Sequence, residues 1–228
     1  SDVELLAPIP RPRQDVVCLG MNYRDHAEES ARYSADAFTK SSTAAVYFPK
    51  RVSEAGKPDG VIPRHAGLTD RLDYEAELAV VLGKAARDVK AADAADYIFG
   101  YTILNDVSAR DLQTGHKQWY FGKSLDGFTP MGPVLVTADE IAYPPALEIT
   151  SRVNGELRQK SNTALLITSI GQILEELTGG MTLLPGTIIA TGTPAGVGMG
   201  FDPPRFLQSG DTVECAIEGI GTLCSTVI

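Results

Sequence analysis

Residues 73 to 83 read DYEAELAVVLG. An apolar run of this length that closes on glycine reads as a buried strand. Its start constrains the fold further, because Glu75 and Glu77 are separated by one residue. Side chains alternate across a strand, so residues two apart share a face and sit side by side. Two like charges held together repel, and burying them unpaired is costly. A chain that buries this strand must therefore bring positive charge to its beginning from elsewhere.

The next candidate strand, FGYTILND, ends at Asp106. Glu75, Glu77 and Asp106 together would supply three hard oxygen ligands. With no Cys or His in the set, Mg²⁺ or Mn²⁺ is preferred, Ca²⁺ is possible and Zn²⁺ is less suitable. The plainer alternative places Glu75 and Glu77 on a solvated edge, paired with Arg71 or Lys84.

The rest of the chain favours strands over helices. DVVCLG from Asp15 reads as a short strand, and NYRDHAEESA from Asn22 as a short helix. ARYSADAFTKSS, residues 31–42, has no strong period and is expected to be a mobile loop. Asn154-Gly155 between two strand-like arms is a hairpin signal. SIGQILEELTGG is the best helix, with Ser169 and Gln172 as a capping box and Gly179 or Gly180 as its stop. GTIIATGTPAGVG runs from a strand into a glycine-rich loop, and DTVECAIEGIGTLCSTVI is a second hairpin. Without βαβ alternation, the pattern points to an α+β fold.

Charge and composition exclude several functions. A net charge of -9 repels phosphate backbones, so nucleic acid is not an expected partner. No apolar run approaches the roughly 18 to 20 residues of a membrane span. Cys18, Cys215 and Cys224 form no CxxC pair, and Cys18 and Cys215 sit in apolar runs. That usage suggests a reducing compartment, most simply the cytoplasm. GTPAGVG matches neither nucleotide-binding glycine pattern. The three prolines of ELLAPIPRPRQD suggest that residues 1–14 are a linker from a missing upstream segment, leaving 15–228 as a single catalytic domain.

Six motifs occur in series: GMNYRDHAEE, LDYEAELAVVLG, GYTILNDVSARDLQ, GKSLDGFTPMGP, VNGELRQKSNT and LLPGTIIATGTPAGVG. In this order they resemble the fumarylacetoacetate hydrolase family, in its C-terminal catalytic domain. The resemblance implies an α+β fold, with mixed β-sheets in a roll or sandwich around a central site and few short helices, assembled as a homodimer. It implies that Glu75, Glu77 and Asp106 are the metal ligands and that Lys123 lies near the metal and the substrate carboxylate. It makes Arg110, Gln113 and Thr193 contacts for a 2-oxo acid, and His26 and Glu29 the pair that activates water.

Each of these residues also has a structural reading. His26 could form a surface pair with Glu29, and Glu28 competes for the partnership. Lys123 could be solvated, and Arg110 could bridge to Asp111 or Asp106. His65 and His116 read as surface or structural residues, and Trp119 and Tyr120 as packing.

The implied chemistry is hydrolysis of a C–C bond in a small anionic 2,4-dioxo acid of the acylpyruvate or fumarylpyruvate type. It would use Mg²⁺ or Mn²⁺ to stabilise a pyruvate enolate. Oxaloacetate decarboxylation, or enol or double-bond isomerisation of a 2-oxo acid at the same site, is the alternative. A metal-stabilised binding module without turnover is the non-enzyme reading.

Overall fold

The computed structural model describes residues 3–33 and 44–228. Among the described residues, thirteen strands form most of the architecture. One sheet has six: β1 (Val16–Gly20), β2 (Val46–Lys50), β5 (Ala76–Leu82), β6 (Ile98–Asn105), β8 (Met131–Thr137) and β11 (Ile188–Ala190), in the order β2-β1-β11-β5-β6-β8. A second has five: β3 (Gly60–Ile62), β9 (Glu148–Val153), β10 (Glu156–Asn162), β12 (Thr212–Ile217) and β13 (Gly221–Val227), in the order β10-β9-β12-β13-β3. A two-stranded pair joins β4 (Leu72–Asp73) to β7 (Ser108–Ala109). The helices are short: α1 (Arg24–Tyr33), α2 (Arg110–Gly115), α3 (Tyr120–Lys123) and α4 (Ile170–Thr178), with short 3₁₀ segments, the longest at Ala91–Tyr97.

The apolar run of β5 is explained by burial on both faces. Leu78, Val80 and Leu82 enter the main core with Ile103, Ile149, Val213, Cys215 and Leu223, where the two large sheets meet. Ala79 and Val81 point the other way, into a second cluster with Val16, Cys18, Ile188 and Ala190. Both faces of the pleat therefore need apolar residues, and the alternation of a half-exposed strand disappears. Each Leu or Val so enclosed contributes about 1.5–3 kcal/mol.

Local signals predicted several elements well. Asn154 and Gly155 connect β9 to β10 with φ of 52° and 78°, the geometry of a two-residue hairpin turn. Both halves of the Ser169/Gln172 capping box form at the start of α4, and Gly179 caps its end. One boundary needs correction. Strand β5 begins at Ala76, so Glu75 lies just ahead of it, with its N–H bonded to Asn105 Oδ1 at 3.0 Å. The sheets are mixed, as the resemblance implies: β1 pairs parallel to β11 and antiparallel to β2, and β13 pairs parallel to β3 and antiparallel to β12. The expected loop at 31–42 begins within α1 and otherwise lies outside the described residues.

The six-stranded sheet gathers its functional ends on one side. Ala76 pairs with Asn105 in the antiparallel β5/β6 register, so the start of β5 meets the end of β6. The ends of β1 and β11 lie on the same side, since β11 runs antiparallel to β5 and parallel to β1. Thus Glu75 and Glu77, Asp106, the loop after β11 and helix α1 after β1 surround one region.

Candidate active site

Glu75, Glu77 and Asp106 are all buried, and one carboxylate oxygen from each lies within 4.8 Å of the others. The positive charge that the sequence demanded comes from two later elements. Lys123, at the end of α3, donates to Glu75 Oε2 and Asp106 Oδ2, both at 2.7 Å. Arg110, opening α2, places Nη1 2.7 Å from Glu75 Oε1. Among the described residues, Arg110 pairs with Asp73 and Glu75, and Lys123 rather than Arg71 or Lys84 supplies the second cation at Glu75.

The three acids differ electrostatically. Burial alone would raise the Glu75 carboxyl, but Lys123 and Arg110 overcome it and hold Glu75 well below the usual carboxylate range. Glu77 goes the other way, pushed well above that range by burial and then by Asp106 and Glu75. Its Oε2 accepts one N–H, from Gly192 at 2.8 Å. Glu77 is thus where the cluster lacks positive charge. Three buried, converging hard oxygens with unbalanced negative charge fit a divalent ion such as Mg²⁺, Mn²⁺ or Ca²⁺.

His26 and Glu29 are both buried, while Glu28 is exposed, which settles which acid partners the imidazole. His26 Nδ1 lies 3.0 Å from Glu29 Oε2. The other oxygen, Oε1, accepts the Gly196 N–H at 2.9 Å, so Glu29 is fixed at both ends. A carboxylate on Nδ1 favours the tautomer protonated there and leaves Nε2 with the basic lone pair.

His26, Glu75, Arg110, Gln113, Lys123 and Thr193 line one cleft, with Met21, Phe48 and Trp119 as its apolar wall. Gln113 braces Arg110 by accepting from Nη1 at 3.0 Å. Thr193 accepts from Gln159 Nε2 at 2.7 Å and donates to the Ala76 carbonyl at 2.9 Å. Trp119 packs edge-on against Phe48 with ring centroids 5.1 Å apart. Tyr120, His65 and His116 are exposed or surface-lying; His65 contacts the Asp126 carbonyl and His116 the Phe121 ring.

Sequence reading missed three buried polar residues. Lys50 is fully buried at the end of β2 and donates to Asp106 Oδ1 at 2.7 Å, to the Val107 carbonyl at 3.1 Å and to the carbonyl of Lys123. Its place at the end of the apolar run VYF was the only local clue. Asp73 anchors Arg110, and Gln159 links Ala76 to Thr193 and Pro194. Asp73 was visible only as the first of three acids ahead of the apolar run of β5.

Comparison with known proteins agrees with this geometry. The fumarylacetoacetate (FAA) hydrolase C-terminal family matches residues 15–228. An oxaloacetate tautomerase of Bacillus subtilis, YisK, is 49% identical over 100% of this chain and 74% of its own length. Among solved structures, a fumarylacetoacetate hydrolase of Exiguobacterium antarcticum is 46% identical with a TM-score of 0.87, covering 100% of this chain and 79% of that one. A 5-carboxymethyl-2-hydroxymuconate delta-isomerase of Mycobacterium smegmatis is 42% identical with a TM-score of 0.79, over 100% of this chain and 82% of that one. Six motifs, one mixed-sheet architecture and a profile match over nearly the whole chain lead to the same place: this protein belongs to the fumarylacetoacetate hydrolase family.

Proposed function

We propose that this protein interconverts the keto and enol forms of a small 2-oxo acid, with oxaloacetate as the candidate substrate. The observation that carries the reading is the placement of a buried His26–Glu29 pair in the same cleft as Arg110, Lys123 and the edge of the acidic triad. Its relatives include a named oxaloacetate tautomerase and a named isomerase.

Glu75, Glu77 and Asp106 would hold the divalent ion, Mg²⁺ or Mn²⁺, which would supply Lewis acidity toward the oxo-acid oxygens. The chain's own residues account for binding and proton movement. Arg110 and Lys123 set positive charge at one end of the cleft, where a carboxylate and a keto oxygen gaining negative charge would be stabilised. His26 Nε2 would take the proton from the carbon next to the keto group, leaving an enolate whose oxygen gains a proton from solvent to give the enol; in the reverse direction the oxygen loses that proton and His26 returns one to the carbon. Glu29 would hold the ring and stabilise its charged form. Leu19, Phe48 and Trp119 wall the cleft with apolar surface and limit water around the exchanging proton.

A second reading rests on the same pair. With water in place of the abstracted proton, His26 and Glu29 would activate it against the distal carbonyl of a 2,4-dioxo acid, giving C–C hydrolysis. Decarboxylation of oxaloacetate would need no such water.

The test is the decay of the enol absorbance of freshly dissolved oxaloacetate, with and without protein and Mg²⁺. Acceleration that disappears in Glu77→Ala supports the proposal. Decay at the uncatalysed rate, beside turnover of an acylpyruvate, would replace it with the hydrolytic reading.

A further inference from the structure

Arg110 can receive a substrate carboxylate only if its guanidinium is held in one orientation. Arg110 is buried at the first position of α2, and its preceding residue, Ala109, caps that helix with no side-chain bond. Gln113 and Glu75 hold the Arg110 Nη1, and Asp73 in β4 holds its Nε. Asp73 Oδ2 accepts from Arg110 Nε at 2.8 Å and from the Met199 N–H at 2.9 Å. Its Oδ1 accepts from the Gly198 N–H at 2.7 Å and from the Tyr74 N–H at 2.9 Å. Asp73 is fully buried, so water does not substitute for any of these contacts.

All four partners are donors, and the two carboxyl oxygens of Asp73 accept two bonds each. Asparagine would turn an NH₂ group against one pair of N–H donors. The glycine-rich loop supplying two of them also supplies Gly196, whose N–H holds Glu29 and whose carbonyl accepts from Tyr74 Oη at 2.8 Å. Arg110, the 196–199 loop and the His26–Glu29 pair therefore share one buried anchor.

We infer that Asp73 is a positioning residue: it sets the Arg110 guanidinium for a substrate carboxylate and ties it to the loop that orders Glu29. The inference rests on the reading that Arg110 receives that carboxylate, and the test separates the two. The probe is oxalate, a planar dianion that resembles the carboxylate and oxo end of a 2-oxo acid, used as a competitive inhibitor in the presence of Mg²⁺. Asp73→Asn should weaken oxalate by about tenfold or more, the scale of a displaced charge-assisted hydrogen bond. In an Arg110→Ala background the same change should have little further effect, because residues acting through one another are non-additive. A structural defect would weaken binding equally in both backgrounds, and that result overturns the inference.

If Arg110→Ala itself leaves oxalate binding unchanged, the carboxylate role of Arg110 falls and this inference falls with it. If Arg110→Ala weakens oxalate and Asp73→Asn does not, the role of Arg110 stands and Asp73 is excluded as its positioner. A measurement on the unmutated protein covers the case in which Asp73→Asn does not fold. The Arg110 Nε–H resonance, assigned by its loss in Arg110→Lys, should be well dispersed and slow to exchange with solvent. An averaged, rapidly exchanging signal there would contradict a fixed Asp73 contact.

Discussion

Lys50→Met removes a charge that touches no substrate-facing surface, so its cost reports how the acidic cluster is held together. The side chain is fully buried, and its three bonds, to Asp106, Val107 O and Lys123 O, use every donor of the ammonium. Methionine fills a similar volume and satisfies none of those acceptors. Breaking a buried ion pair by removing one partner costs about 3–5 kcal/mol. Lys123 still neutralises the other oxygen of Asp106, which places the expected loss near the lower end, about 3 kcal/mol. In a domain of this size that corresponds to about 6–12 °C in Tm. The assay is urea and thermal unfolding in EDTA, with Lys160→Met as control. Lys160 forms an exposed pair with Glu148, so that change should stay within about 0.5 kcal/mol. A Lys50→Met loss below about 1 kcal/mol would refute the reasoning and show that Asp106 is held well enough without it.

Glu77→Gln should tell a complementary story. Gln keeps an acceptor for the Gly192 N–H and removes a like charge, so in EDTA its Tm should equal or exceed that of the parent protein, while stabilisation by added Mn²⁺ should be lost; a lower Tm in EDTA would contradict the charge imbalance. Gly200→Ala would set a methyl group on the Glu29 carboxylate with no backbone strain, since Gly200 is not among the positive-φ glycines. Activity should fall by about tenfold or more through the displaced His26–Glu29 pair while circular dichroism stays unchanged; full activity would show that Glu29 does not need its present position. The protein is expected to assemble as a homodimer, and a monomer mass in light scattering at micromolar concentration would count against that.

Local chemistry made some of this architecture readable and hid the rest. The Asn154-Gly155 turn and the Ser169/Gln172 box depend on neighbours in sequence, and both form as the residues require. Glu75, Glu77 and Asp106 were legible as candidates because two acids sit one residue apart at the head of an apolar run and a third ends the next strand, and the resemblance of the motifs around them favoured one ion over a solvated edge. Choosing between Glu28 and Glu29 needed the helix in place, because only its packing decides which face is buried. Lys50 and Asp73 were hidden for a different reason. Their partners are 56 and 37 residues away, and nothing nearby distinguishes a lysine or aspartate bound for the interior from a solvated one. Long-range register put them there.

In the proposed reaction His26, held by Glu29, moves the proton at the carbon beside the keto group. The direct measurement is the rate of enol-to-keto conversion of oxaloacetate with Mg²⁺ for the parent protein and for His26→Ala, with acylpyruvate cleavage followed in the same preparations. General acid–base catalysis contributes about 10²- to 10⁴-fold. Ketonisation should therefore fall by that order in His26→Ala, while Mn²⁺ affinity stays unchanged because the triad is intact. Ketonisation that survives the substitution, with acylpyruvate cleavage alone abolished, would contradict the claim and assign the pair to water activation.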